Sequence, residues 1–201
     1  MYFPYLRGKQ YELLALKDFS KMSPNNAKIV PIIEPVKNQV NGLNSALETM
    51  IKNGMRFALI LNPKDGDFKR DADNDMLPKL KVLQDDREHW IPAYFYKKNA
   101  DVLLAYAEAH NLAQLMVVFP EGVNIHDKEL MKFLANERVK YVVNGNSSNS
   151  AVTKLRVLGK DVISLEDHFN LQNKNADYAS NDDEFFSDDF LYYKDSGFYG
   201  F

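Results

Sequence analysis

The sequence predicts an α/β chain of alternating βα units, arranged as a (β/α)8-type barrel incomplete at its eighth strand. Three observations lead there. A strand-like apolar run that stops on a polar residue recurs seven times, and a helix-patterned segment follows each of the first six. The runs are apolar on consecutive positions, as in FALIL at 57–61 and LMVVF at 115–119. Strands buried on both faces by parallel packing read that way. No Gly-rich fingerprint follows the first run, which weighs against the alternative, an open doubly wound parallel sheet.

The strand phrases, in order, are YFPYLRG at 2–8, KIVPIIEP at 28–35, RFALILNP at 56–63, WIPAYFYK at 90–97, QLMVVFPE at 114–121, KYVVNGN at 140–146 and DVISLED at 161–167. Between them lie helical stripes. Tyr11, Leu14 with Leu13, and Leu16 make the first, extended by Phe19 and closed by Pro24, and Leu43, Leu47, Met50 and Ile51 the second, with Gly54 where a C-cap glycine belongs. Leu77, Leu80 and Leu83 make a third. Asp101 stands where an aspartate can cap a fourth, which carries Val102, Leu103 and Tyr106. Leu130, Phe133 and Leu134 make a fifth; Ser148 or Ser150 can cap a sixth that ends at Gly159. GFYGF at 197–201 reads as the opening of an eighth strand. The chain thus divides into a βα-repeat domain over 1–169 and an acidic–aromatic loop over 170–201.

Composition narrows the function classes. A net charge of −3 lacks the basic excess that sequence-independent nucleic-acid binding requires. With no cysteine, disulfides, zinc–thiolate sites and cysteine nucleophiles are excluded, which fits a reducing, cytoplasmic setting. No apolar run approaches a membrane span, and the N-terminus has no signal-peptide pattern. DADNDM at 71–76 opens like a calcium loop. Met76 occupies the obligatory glycine position and Val82 that of the bidentate glutamate, so it is rejected. His89, His110, His126 and His168 are isolated from one another in sequence, and no cofactor or metal is indicated. The Asn/Ser turn GNSSNS at 145–150 reads as N-capping rather than as a phosphate cradle.

MYFPYLRGKQYELLAL at 1–16, VPIIEPVK at 30–37 and FFSDDFLYYKDSGFYGF at 185–201 resemble the uncharacterised "beta protein" family of bacteria and phages, over essentially the whole chain. The resemblance implies that members continue past residue 201, which makes this chain a truncated member. It also implies a role in phage–host conflict. No catalytic residue comes with it.

The chemistry is therefore sought at the strand ends, which form the functional face of a barrel. Arg7 and Lys9 follow the first strand, Glu34 the second, Asn62 and Lys64 the third, and Tyr96 and Lys97 the fourth. Glu121 follows the fifth, Asn144 and Asn146 the sixth, and Glu166, Asp167 and His168 the seventh. Glu34, Glu121 and Glu166 each terminate an apolar strand, as general acid–base groups would. Arg7, Lys9, Asn62, Lys64, Lys97, Asn144 and His168 are the candidate ligand-binding set for a small phosphate- or carboxylate-bearing ligand. The alternative is a non-catalytic module presenting the acidic–aromatic tail to a protein partner. An unclosed barrel also exposes two strand edges, which invites a homo-oligomer or a tail folded across the gap.

Overall fold

The computed structural model describes residues 1–70, 74–145, 148–165 and 199–200. Its strands are β1 (Tyr5–Arg7), β2 (Ile32–Glu34), β3 (Phe57–Ile60), β4 (Trp90–Phe95), β5 (Leu115–Phe119), β6 (Val139–Gly145), β7 (Asp161–Leu165) and β8 (Tyr199–Gly200). They form one sheet in chain order from β1 to β8, with every neighbouring pair parallel. The seven sequence phrases each contain or overlap one strand, and β8 pairs with β7 where the eighth phrase begins. Among the described residues no ladder joins β8 to β1, so the ladders define a parallel α/β sheet that is curled and open.

The helices are α1 (Gln10–Met22), α2 (Asn41–Lys52), α3 (Val82–Asp85), α4 (Ala100–Ala109), α5 (Lys128–Leu134) and α6 (Asn149–Val157). Ser148 caps α6 through Oγ, which accepts from the Ala151 N–H at 3.3 Å. Gly54 and Gly159 follow α2 and α6 with φ of 66° and 73°, the left-handed stop that glycine adopts without a Cβ penalty.

Three helix expectations need correction. Tyr11 and Leu14 are exposed, and α1 packs through Leu13 and Leu16 instead. Leu77, Leu80 and Leu83 are all buried, but the segment is a 3-10 turn over Leu77–Lys79 followed by the single turn of α3. A spacing of three residues matches the 3-10 period, where side chains at i and i+3 eclipse. Asp101 does not cap α4 either. The helix starts at Ala100, the N-cap position falls on Asn99, and Asp101 lies in the first turn, where its charge favours the positive end of the helix.

Side chains alternate across each strand, and the two faces pack differently. Outward residues such as Ile33, Phe57, Leu59, Leu115 and Val142 share one buried cluster with α1 to α6. The inward set, including Ile32, Ala58, Ile60, Ala93, Met116, Val118, Val143 and Ile163, forms a second cluster to which no helix among the described residues contributes. These inner residues cover one another. Phe3 and Tyr141 make this concrete: their ring centroids lie 6.0 Å apart, although Phe3 precedes β1 and Tyr141 sits on β6. In a flat sheet those strands would be about 24 Å apart, five steps of about 4.8 Å. The sheet therefore curls far enough for its two sides to touch.

Phe3 is almost fully buried in that inner cluster. Its replacement by alanine is expected to cost about 3–5 kcal/mol in urea unfolding. A loss under about 1 kcal/mol would show that the inner face does not depend on it.

Candidate functional site

The C-terminal ends of β1, β2 and β3 meet around one buried carboxylate. Glu34 is the last residue of β2 and only 3% exposed. Its inward direction follows from alternation with Ile32, and it stands beside Arg7 in the β1–β2 register. A carboxylate removed from water is tolerated only when donors replace its hydration. Three do so. The Tyr5 hydroxyl donates to Oε2 at 2.5 Å, and the Lys64 and Asp65 N–H groups donate to Oε1 at 3.0 and 3.1 Å. Glu34 thus ties the first two strands to the loop after β3.

A second set of bonds clips that loop to the one after β2. The Asp67 N–H donates to the Val36 carbonyl at 3.0 Å, while its carboxylate accepts from the Asn38 N–H at 3.0 Å and the Lys37 ammonium at 3.3 Å. The turn passes through Gly66 at φ 62°, where an added Cβ would stand 2.1 Å from the Val36 oxygen. Only glycine fits.

Around this hub lie the charges. Asp65 bridges two cations, the Arg7 guanidinium at 3.2 Å and the Lys69 ammonium at 3.3 Å. Partial burial alone would raise the Asp65 carboxyl. The Lys69 ammonium, the Gly66 N–H and the Arg7 guanidinium outweigh it and hold the group below the usual carboxylate range. Lys64 makes no ion pair among the described residues. Its Nζ lies 4.5 Å from the centroid of Phe95, an inward residue at the end of β4, so this cation leans over the mouth of the curl.

The other candidates separate into distinct roles. Asn62 extends the β3–β4 pairing: its Nδ2 donates to the Phe95 carbonyl at 2.9 Å and its Oδ1 accepts from the Phe95 N–H at 2.8 Å. Asn144 is buried on the outward alternation of Val142, and its Oδ1 takes the Val123 N–H at 2.7 Å. That orientation directs it toward the helix layer and fixes the β5–α5 loop, which corrects its expected place at the mouth. Lys9 is exposed at the start of α1, where its N–H donates to Glu12 at 3.2 Å. Lys97 is exposed just after β4. Glu121 is exposed in the turn after β5, and no hydrogen bond or ion pair among the described residues joins it to Glu34. Glu166 and His168, with the tail at 170–198, lie outside the described residues.

The structure therefore brings together Arg7, Glu34, Asn62 and Lys64, and adds Tyr5, Asp65, Lys69 and Phe95, which sequence reasoning missed. For Tyr5 a signal existed, since it shares the inward alternation of Arg7 two residues on. Asp65 and Lys69 carry no such signal, because their position depends on the turn at Gly66. Among the described residues no group of three or more His, Cys, Asp or Glu is placed to hold a metal ion, and no helix is long and apolar enough to cross a membrane. No protein-family model, curated protein or solved structure matches this chain, so no relative's functional residues can be laid over these.

Burial, followed by the hydrogen bond and charge of Glu34, pushes the Tyr5 hydroxyl far above the ordinary tyrosine range. A raised folded-state value means that the proton is held more tightly in the native state. The contribution is complete below the unfolded value of about 10 and is lost as pH rises from there toward the folded value. Stability above about pH 10 should thus fall more steeply for the parent than for Tyr5→Phe, by up to one proton in the slope. Identical slopes in alkaline urea titrations would contradict the Tyr5–Glu34 pairing.

Proposed function

We propose that the curled sheet is a (β/α)8-type barrel, and that its mouth binds a small phosphate- or carboxylate-bearing ligand. Several features support the barrel. The strand order runs straight from β1 to β8, whereas a doubly wound sheet reverses its order and carries helices on both faces. Among the described residues the inner cluster contains no helix residue, and Phe3 meets Tyr141 across it.

One observation carries the ligand reading: Lys64 leans over the mouth with no carboxylate partner among the described residues, while Glu34 grips its own backbone N–H. A lysine on a free loop would be an expensive anion clamp, because ordering its chain opposes binding. Here the backbone is already fixed. Arg7, held by Asp65 from the loop after β3, supplies a second cation with fork geometry suited to an oxyanion. Glu34 acts as a positioning residue, with both oxygens engaged by three donors. The same carboxylate repels anions that come too close, which favours ligands whose charge stops at the Lys64 and Arg7 level.

Titration of isotopically labelled protein with inorganic phosphate, and separately with succinate, tests this directly. The backbone amide signals of Lys64 and Asp65 should shift saturably with at least one of them. Lys64→Gln should weaken that binding about tenfold, the scale of one lost charge-assisted contact. Amides that stay in place throughout both titrations would refute the reading.

A further inference from the structure

The opposite end of the sheet holds a second, unassigned pocket. It occupies about 500 Å³ beneath the N-terminal ends of β3 to β6, and its wall includes Arg56, Arg87, Glu88, Trp90, Gln114 and Lys140. Three cations thus stand against one carboxylate, in a chain whose net charge is −3. None of the three makes an ion pair among the described residues. Arg56 is the decisive member: its Nε is buried and has no hydrogen-bond partner among the described residues. The residue as a whole is part-exposed, but a buried N–H of a charged group without an acceptor is costly and calls for a missing partner.

Lys140 reaches the pocket through an irregularity in the sheet. The β5–β6 register slips between Leu115↔Val139 and Met116↔Tyr141, leaving Lys140 as the extra residue. Bulges of this kind re-aim a side chain. Trp90 in the wall is anchored by its indole N–H, which donates to the Asp86 carbonyl at 2.6 Å.

We propose that this pocket binds a small phosphate-bearing molecule, with Arg56 as the inner donor and Arg87 and Lys140 as cations at the rim. A concave pocket of this size admits a phosphate ester, and its unpaired guanidinium matches a phosphate oxygen. The site lies at the other end of the strands from the mouth and does not depend on it.

Trp90 is the only tryptophan in the chain and lines the pocket, so its emission reports occupancy there. The full chain is titrated with inorganic phosphate, pyrophosphate and citrate against sodium chloride at matched ionic strength. Phosphate or pyrophosphate should change the emission saturably, and citrate and chloride should not. Arg56→Gln should raise the half-saturation concentration about tenfold or more, as expected for a lost hydrogen bond to a charged group. Arg87→Gln, at an exposed position, should raise it about threefold with the fold intact, and it decides the matter should Arg56→Gln fail to fold. The proposal is overturned by an unsaturable response, by a response to citrate or chloride equal to that of phosphate, or by unchanged half-saturation in the variants.

Discussion

A parallel sheet has two faces to cover, and among the described residues helices pack on only one of them. The inner-face residues, from Ile32 through Ile163, are buried against one another. That constraint shapes everything else in the molecule. It explains why the strands are apolar on consecutive positions, since each alternate residue meets either the helix layer or the opposite side of the curl. It also explains why aromatic residues stand where they do. Phe3, Phe95 and Tyr141 are large enough to span the space that smaller residues such as Ala58 and Ala93 leave open.

Curling gathers the strand ends, and the cost of that gathering appears at Glu34. Apolar packing would be safer at a position so deeply buried, because a carboxylate there depends on every one of its donors. The three it has come from a tyrosine on β1 and two backbone N–H groups after β3. The outcome is a polar hub that fixes loops rather than strands. Lys64 and Arg7 inherit their positions from it, one through its backbone and the other through Asp65. The opposite end follows a different logic. There the irregular β5–β6 register brings Lys140 beside Arg56, whose Nε has no partner among the described residues, around a hollow that the packing leaves open.

Much of the fold was legible because apolar runs, Ser148 and the glycines at 54 and 159 are local signals. Each depends on neighbours in sequence and needs no knowledge of the rest. Glu34 was legible for the same reason, as a charge that ends an apolar strand. The hidden parts are those that topology assembles. Asn144 also ends a strand-like run, yet one step of alternation turns it toward the helices and away from the mouth. Leu77, Leu80 and Leu83 read as a helix because a period of three and a period of 3.6 look alike over so few residues. Arg56, Arg87 and Lys140 sit far apart in sequence, and only the order of β3 to β6 makes them neighbours.

The curl itself is open to one direct measurement, the nuclear Overhauser effect between the rings of Phe3 and Tyr141. With centroids 6.0 Å apart, cross-peaks between their ring protons should be observed. A sheet that stayed flat would separate them by about 24 Å and give none, and that result would contradict the account.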